Sequence, residues 1–202
     1  MTPTASTLQG MREAISRYDL LRHPFYQAWS AGTLTVAALA IYAREYGAFI
    51  DVLEWGWNAL DEPEGAAIER HHVDLWKGFA RALGTTVLDV AALGAGKSLL
   101  EEATRSFTTP PEAAGALYAF EAQQPSTARS KLKGLDTYYR SLPAGVRPYF
   151  EAHACETGEE ALLQRKLARM TEAEQERATA ACSRMAKALW DALTSIHAAA
   201  AC

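Results

Sequence analysis

Residues 63–84, PEGAAIERHHVDLWKGFARALG, contain the pattern that decides the fold class. Apolar side chains recur at positions 68, 75, 76 and 79, which is the three- and four-residue spacing of one face of an α-helix. His72 falls within this apolar stripe, and Glu69 lies one turn earlier at its edge. The segment therefore predicts an amphipathic helix, closed by Gly84, that carries an acid and an imidazole towards the core.

The rest of the chain has the composition of an all-helical protein. Its 202 residues include 40 Ala and 22 Leu but only 6 Val and 5 Ile, so its apolar residues are mostly good helix formers. Proline, glycine and capping residues divide it into about seven helical blocks, without a repeat or a low-complexity linker. We therefore predict one helical-bundle domain over residues 1–202.

Three of these blocks have boundaries that the structure can test. One helix is expected from Thr35 to about residue 60, and a short helix with a turn over residues 85–97. A long helix after Pro110-Pro111 should be kinked at Pro125. Thr171 and Glu174 form a capping-box pattern at the start of the last helix.

Charge and cysteine content limit the classes of function. The net charge of −4 gives no broad basic surface for nucleic acid or anionic membranes, so a small-molecule substrate is expected. The N-terminus lacks the pattern of a signal peptide, and apolar runs are too short to span a bilayer. The cysteines Cys155, Cys182 and Cys202 match no disulfide framework or zinc motif and indicate reduced thiols in a cytoplasmic protein.

Two further helices point polar groups inward. Glu121 falls three residues after Tyr118 on the inner face of the helix that follows Pro111. In the helix after Pro148, His153 and Glu160 lie seven residues apart and share one side, with Glu156 somewhat to the side.

Three helices thus each point a carboxylate at the core, and two add a histidine. A buried carboxylate costs several kcal/mol unless it has a partner or a metal ion. Taken singly, Glu69 could pair with Arg70 or Arg81, and Glu160 could pair with Gln164 or Lys166. Each histidine could be a hydrogen-bonded core residue. Taken together, carboxylates and imidazoles from facing helices predict a metal site, and the lack of a thiolate favours iron or manganese over structural zinc.

Tyrosines at helical spacing, including Tyr26 and Tyr42, fit core packing but are also redox-active if they lie beside an oxidising metal. Lys131 lies near the inner face of its helix, ten residues after Glu121, and is either a core amine or a surface lysine with a buried stem.

Four segments together resemble the heme-oxygenase-like superfamily, which contains the TenA thiaminases, the PqqC-type oxidases and the heme-oxygenase-like diiron oxidases. The closest resemblance is to the branch of the chlamydial death-domain-associating protein, the CADD-like branch. The ExxP...K..GL pattern that begins at Glu121 is the most specific feature. The resemblance implies a seven-helix bundle, which in this superfamily often forms homodimers. The matching segments are 23–46, 71–86, 117–139 and 149–163.

The resemblance implies that Glu69, His72, Glu121 and His153 bind metal. The family pattern H-x-x-x-D-x-x-H reads His153, Thr157 and Glu160 here, so that Glu156, Glu160 or both could supply oxygen ligands, or only one metal ion binds. CADD-like members carry their first carboxylate seven residues before the histidine. Gly65 stands at that position in this chain, with Glu62 and Glu64 as further alternatives to Glu69.

CADD-like proteins are thought to form p-aminobenzoate for folate synthesis from their own tyrosine and the amine of a lysine. The matching positions here are Tyr26, Tyr42 and Lys131. The resemblance therefore implies an oxidase that uses O2 with iron, or with an iron–manganese pair, on a small-molecule or self-derived substrate. Two alternatives are a TenA-like thiaminase with a cysteine nucleophile and a non-catalytic helical interaction protein.

Overall fold

The computed structural model describes residues 5–155 and 158–200, and every regular element in these ranges is helical. This confirms the predicted all-α class. The 3₁₀ helices are Leu20–Arg22 and Ala144–Val146. The α-helices of this part of the chain are α1 Ala5–Arg17, α2 Pro24–Ala31, α3 Val36–Ile50, α4 Leu53–Ala59, α5 Pro63–Ala82, α6 Gly94–Ser106, α7 Pro110–Glu121, α8 Gln124–Thr137, α9 Pro148–Ala154, α10 Gly158–Leu167 and α11 Glu172–Ala199.

Capping side chains fix where several helices begin. Thr35 accepts a backbone N–H at the start of α3, and Thr171 and Glu174 form the predicted capping box of α11. His23 caps α2 by accepting a backbone N–H at its Nδ1 atom. These caps satisfy donors that the first turn of a helix cannot satisfy itself.

Two of the predicted long helices are divided. The block over residues 35–60 forms α3 and α4, which are separated at Asp51 and Val52. After Pro110 the chain does not simply kink, because α7 ends at Glu121 and Pro125 lies in the first turn of α8. A proline is favourable there, since the first-turn N–H groups have no intrahelical acceptor.

The short helix expected over residues 85–97 is not formed. Residues 85–93 are non-helical, and α6 begins at Gly94. The buried carboxylate of Glu45 explains this, because its Oε2 atom accepts the backbone N–H groups of Ala92 and Leu93 at 2.8 and 3.0 Å. These contacts hold the segment as a loop against α3.

α7 and α11 pack closely at the centre of the bundle. Residues 111 and 113–121 of α7 are buried, so this helix has almost no face towards solvent. Gly115 allows the close approach, since a Cβ atom added there would lie 1.9 Å from the backbone oxygen of Ala178. Large aromatic side chains from α2, α3, α5 and α9 fill much of the remaining core, among them the fully buried Trp29, Tyr42, Trp76 and Phe150. No helix in residues 5–155 and 158–200 combines the length and hydropathy needed to cross a bilayer.

Candidate functional site

Four helices bring acidic and imidazole side chains together in the core. α5 carries Glu69 and His72, α7 ends in Glu121, α9 carries His153, and α10 carries Glu159. One carboxylate oxygen from each of the three glutamates lies within 4.8 Å of the others. His72 Nδ1 is 3.3 Å from Glu69 Oε2, and the centroids of the two imidazole rings are 4.1 Å apart. The structure therefore brings together the four residues that the helical periodicity pointed inward.

Trp57 explains why α5 contributes the carboxylate of Glu69 to the cluster rather than one at position 65. A Cβ atom added to Gly65 would lie 2.8 Å from Trp57 Cδ2, so the indole ring occupies the space that a longer side chain at position 65 needs. The same indole donates a hydrogen bond from Nε1 to Glu69 Oε1 at 3.3 Å. Trp57 thus excludes a carboxylate at the earlier position and orients the one that is three residues before His72.

A backbone contact determines which nitrogen of the neutral His153 ring carries the proton. Its Nδ1 atom lies 2.8 Å from the carbonyl oxygen of Tyr149. A carbonyl oxygen only accepts, so Nδ1 carries the proton and the lone pair of the neutral ring is on Nε2. Histidines that bind metal commonly have such a carbonyl partner on the second nitrogen.

The third carboxylate of the cluster is Glu159, and the predicted ligand Glu160 lies elsewhere. Glu160 Oε1 accepts hydrogen bonds from Tyr118 Oη at 3.2 Å and from Gln164 Nε2 at 2.9 Å. The helix after Pro148 is not continuous, because α9 ends at Ala154 and α10 begins at Gly158. The seven-residue alignment of His153 with Glu160 therefore does not hold, and α10 turns the preceding glutamate towards the cluster.

The remaining acidic candidates are not part of this cluster in the described chain. Glu62 pairs with Lys166 at 2.5 Å, and Glu64 is exposed. Glu156, predicted as an additional ligand, and Thr157 lie outside the described residues.

The donor set is suited to a transition metal ion. Oxygens of three carboxylates lie within 4.8 Å of one another, and the imidazole of His72 lies beside them with that of His153 next to it. Such oxygen and nitrogen donors from facing helices are the ligand types of iron and manganese sites in helical bundles. Glu69 and His153 are completely buried, and burial of such groups is expensive unless a cation or hydrogen bonds compensate. The residues present fit a bound metal ion.

A second buried cluster surrounds the amine of Lys131 on α8. Its Nζ atom donates a hydrogen bond to Tyr42 Oη at 2.8 Å. The same atom lies over the ring of Tyr26, 4.8 Å from its centroid, and 4.9 Å from the centroid of Phe150. Lys131 is 3% exposed, so it is a core amine and not a surface lysine with a buried stem. Tyr26, Tyr42 and Lys131 therefore meet at one point.

Burial changes the acid–base behaviour of this cluster. It lowers the pKa of Lys131 to about 7, because the charged ammonium loses its hydration. It raises the pKa of Tyr26, and the nearby side chains of Tyr42 and Thr127 offset part of that increase through hydrogen bonding. Near neutral pH the cluster thus contains a substantial fraction of free amine beside protonated phenols.

The contact between α2 and α8 sets the distance between tyrosine and lysine. Trp29 on α2 donates its indole N–H to the backbone oxygen of Lys131 at 3.1 Å. Gly134 makes room for that ring, since an added Cβ would lie 2.5 Å from Trp29 Cδ1. Tyr26 is one turn before Trp29, so the same contact positions the phenol and the amine.

Aromatic rings connect the two clusters. The Tyr149 ring lies 4.3 Å from the His153 ring and 4.7 Å from the Trp76 ring, and Trp76 lies 5.3 Å from Tyr42. The rings of Tyr149, Trp76 and Tyr42, together with Tyr46, Gln123 and Gln124, line a narrow space that reaches Lys131. A continuous series of ring contacts therefore joins the acid–imidazole cluster to the tyrosine–lysine cluster.

Sequence reasoning missed Glu159 and Thr127. A signal existed for Thr127, because it precedes Lys131 by four residues and shares its helical face. No feature of the sequence indicated that Glu159, rather than the predicted Glu160, lies in the cluster, because this depends on where α9 ends.

The thiol chemistry required by a thiaminase is not evident in the described chain. Cys182 is buried on α11 with its Sγ atom near the Met11 backbone oxygen at 3.9 Å, and burial raises its pKa to about 12. A protonated thiol is a weak nucleophile. Cys155 is a free and exposed thiol, and Cys202 lies outside the described residues.

Known structures share this fold at low sequence identity. A TenA homologue from Pseudomonas syringae matches with a TM-score of 0.77 and 12% identity, over 98% of this chain and 94% of that chain. A domain with a heme oxygenase-like fold from Shewanella denitrificans matches with a TM-score of 0.77 and 16% identity, over 93% and 90%. These matches confirm the predicted heme-oxygenase-like fold.

Relatives with higher identity identify the family, although no protein-family model matches the chain. The 4-aminobenzoate synthase of Chlamydia muridarum is 33% identical, over 69% of this chain and 67% of that protein. The 4-aminobenzoate synthase of Nitrosomonas europaea is 31% identical, over 94% of this chain and 90% of that protein. With the fold, the buried acid–imidazole cluster and these identities taken together, the chain belongs to the 4-aminobenzoate synthase family.

Proposed function

We propose that this protein forms 4-aminobenzoate from its own Tyr26 ring and the nitrogen of Lys131, in a reaction that requires O2 and a bound metal ion. The observation that carries the proposal is the position of Lys131 Nζ, buried 4.8 Å from the centre of the Tyr26 ring. The names of the two relatives support 4-aminobenzoate as the product.

The atoms of the product correspond to atoms of the two side chains. The Tyr26 ring supplies six carbons, and its Cβ atom becomes the carboxylate carbon after the Cα–Cβ bond is broken. The lysine nitrogen replaces the phenol oxygen at the opposite end of the ring, which requires a C–O bond to break and the Nζ–Cε bond of Lys131 to break later. The phenol oxygen leaves as water with two protons from the amine, and the Nζ–Cε bond breaks by oxidation to an imine and hydrolysis, which leaves an aldehyde at Cε of Lys131. Cβ of Tyr26 and Cε of Lys131 are the carbon atoms that are oxidised, and O2 is the oxidant.

Lys131 is the nitrogen nucleophile because part of it is uncharged at neutral pH. Burial lowers its pKa to about 7, so the lone pair on Nζ is available without a separate base. An exposed lysine with its usual pKa near 10.4 would be almost entirely protonated.

Tyr42 holds this amine in place. Its hydroxyl oxygen accepts the Nζ hydrogen bond at 2.8 Å. The amine is thereby kept over the face of the Tyr26 ring, which is the direction from which a nucleophile adds to a ring carbon. We therefore assign Tyr26 as the source of the ring and Tyr42 as the residue that positions the amine.

The metal ion would be held by the five residues of the buried cluster. An iron ion, alone or with manganese, would supply the capacity to reduce O2. Trp57 orients Glu69, and the Tyr149 carbonyl oxygen keeps the lone pair of His153 on Nε2. The buried rings of Trp76 and Tyr149 pack between this cluster and Tyr42, so we expect little water to reach that space. These ligands are Glu69, His72, Glu121, His153 and Glu159.

Isotope labelling tests this proposal directly. Protein that contains ring-labelled tyrosine and ¹⁵N-lysine is loaded with Fe(II) and exposed to O2 without added substrate. Mass spectrometry should then find 4-aminobenzoate with both labels, in no more than one equivalent per chain. Tyr26→Phe and Lys131→Met should each abolish the product.

Matched control variants distinguish the loss of a reacting group from a general loss of folding. Lys133→Met and Tyr138→Phe change exposed residues of the same region and should leave product formation unchanged. Unlabelled product from the doubly labelled protein, or normal product from Lys131→Met, would contradict the proposal.

A further inference from the structure

We propose that His23 is a positioning residue for the reaction, because its imidazole fixes the helical turn from which the Tyr26 ring extends towards Lys131. This inference rests on the proposed function, in which the ring of Tyr26 and the nitrogen of Lys131 are the reacting groups. The imidazole acts through the backbone of α2 rather than on the reacting atoms.

Two hydrogen bonds hold the imidazole of His23 between α2 and α11. Its Nδ1 atom accepts the backbone N–H of Phe25 at 3.0 Å, and its Nε2 atom lies 2.9 Å from Thr194 Oγ1. The Thr194 hydroxyl donates its own proton to the backbone oxygen of Trp190 at 3.1 Å, so Thr194 Oγ1 accepts the proton on Nε2. The neutral ring therefore carries its proton on Nε2 and its lone pair on Nδ1, which is the arrangement that a helix cap requires.

Burial keeps this ring neutral. His23 is 1% exposed, and its ring packs edge-on against the ring of Trp190 with the centroids 4.5 Å apart. Loss of hydration and the nearby His197 lower the pKa of His23 to about 4, although hydrogen bonding to the Trp190 backbone opposes this decrease. At neutral pH the Nδ1 lone pair is thus available to the N–H group of Phe25.

Tyr26 lies between two points at which α2 is held. His23 is three residues before it, and Trp29, which donates its indole N–H to the Lys131 backbone oxygen, is three residues after it. α2 has only eight residues, and helices of this length are not stable by themselves. Tyr26 is in the first turn, which is the part of a helix that frays when its cap is lost. Trp29 therefore holds α2 against α8, and His23 holds the turn that carries the phenol.

The reaction depends on this turn because both reacting groups are parts of the chain. No binding step selects a productive arrangement, so the rate depends on how well the Tyr26 ring is held under Lys131 Nζ, which lies 4.8 Å from the ring centroid. The ring also covers the amine, and burial lowers the pKa of Lys131 to about 7. Opening of the first turn of α2 should therefore slow the formation of the C–N bond and let water reach the amine.

Two substitutions of His23 separate the hydrogen-bond acceptor from the shape of the ring. His23→Phe keeps a ring against Trp190 without an acceptor and should slow 4-aminobenzoate formation on the order of tenfold or more, since small displacements of reacting groups cost this much. His23→Asn provides a side-chain oxygen that caps helices well and should stay within a fewfold of wild type. If His23→Phe does not fold, His23→Ala provides the same comparison, because it also lacks the acceptor. A normal rate in the phenylalanine variant with a slow rate in the asparagine variant would overturn the proposal.

Thr171→Ala is the matched control. It removes the side-chain cap of α11, where the Thr171 hydroxyl oxygen accepts a backbone N–H, and should destabilise the protein to a similar extent. It should leave 4-aminobenzoate formation unchanged, because the cap of α11 is not part of the turn that carries Tyr26. Urea denaturation measures the stability of each variant. An equal loss of product formation in Thr171→Ala would show a general effect of stability and would contradict a specific role of His23.

Two measurements on metal-free protein do not depend on turnover. The Phe25 amide hydrogen should exchange slowly with solvent in wild type and in His23→Asn, and faster in His23→Phe. The ¹³Cε resonance of Lys131, assigned with Lys131→Met, reports the pKa of its amine. Because water favours the ammonium form, this pKa should rise in His23→Phe from about 7 towards its usual value near 10.4. It should stay near 7 in His23→Asn and Thr171→Ala.

The outcomes distinguish this inference from the function on which it rests. A wild-type protein that forms no 4-aminobenzoate overturns the proposed function and, with it, the role of His23 in that reaction. With normal product formation in wild type, an equal rate in His23→Phe or an unchanged Lys131 pKa in that variant overturns the role of His23 alone. A Phe25 amide that exchanges in wild type as fast as an unstructured one overturns the hydrogen bond itself.

Discussion

Lys131 shows how one buried side chain can give the reaction a pH dependence. Its pKa is lowered to about 7, so the ammonium form predominates below that pH and the free amine above it. Since only the free amine can form a C–N bond, the rate should fall about tenfold for each unit of pH below 7 and level off above pH 8. Single-turnover formation of 4-aminobenzoate between pH 5.5 and 9 measures this dependence. A rate that is constant over the range, or that falls as the pH rises through 7, would argue against Lys131 as the nucleophile.

The position of α10 decides which glutamate reaches the acid–imidazole cluster that we propose as the metal site. Glu159 places an oxygen within 4.8 Å of the Glu69 and Glu121 oxygens, whereas Glu160 bonds to Tyr118 and Gln164. Glu159→Gln should weaken Fe(II) binding on the order of tenfold or more, as loss of metal-site support does elsewhere. Glu160→Gln should bind Fe(II) as wild type does. Anaerobic Fe(II) titration of the two variants makes the comparison, and the reverse order of affinities would refute the assignment of Glu159.

Helical periodicity predicts which residues face inward only within one continuous helix, and it does not extend from α9 into α10. The apolar stripes correctly predicted that Glu69, His72, Glu121 and His153 point inward, because each lies within one continuous helix. The alignment of His153 with Glu160 extended the same periodicity across residues 155–157, where no proline indicates an interruption. Glu159 rather than Glu160 faces the cluster from α10, and the local sequence does not show how a second helix is oriented relative to the first.

Across the whole molecule, the amino-acid composition was sufficient to predict an all-helical fold. The distances between side chains in the site could not be predicted in this way. The Ala- and Leu-rich sequence predicts helices, and the family resemblance predicts how they are arranged. Neither shows that Lys131 Nζ lies over the Tyr26 ring, because that contact depends on packing between α2 and α8, which are a hundred residues apart in sequence. The fold was therefore more predictable than the chemistry that it supports.

The α7–α11 contact connects global stability to the acid–imidazole cluster. A Cβ atom at Gly115 would lie 1.9 Å from the Ala178 backbone oxygen, and backbone cannot rotate aside as a side chain can. Gly115→Ala should therefore force the helices apart and lower the free energy of unfolding by about 3 kcal/mol, at the upper end of ordinary overpacking. Because α7 ends in Glu121, the same variant should also bind Fe(II) more weakly.

Gly78→Ala is the matched control, because a Cβ atom there meets only the mobile end of Arg81 at 3.9 Å. It lies inside α5, where alanine is favoured over glycine by roughly 0.5–1 kcal/mol, so this variant should be slightly more stable than wild type. Urea denaturation of the metal-free proteins measures both changes. Opposite signs for the same chemical substitution would show that close backbone packing at Gly115, rather than helix propensity, sets the effect. If both variants were stabilised, α7 and α11 would not approach as closely as the structure shows. The position of Glu121, at the end of α7, would then also be in error.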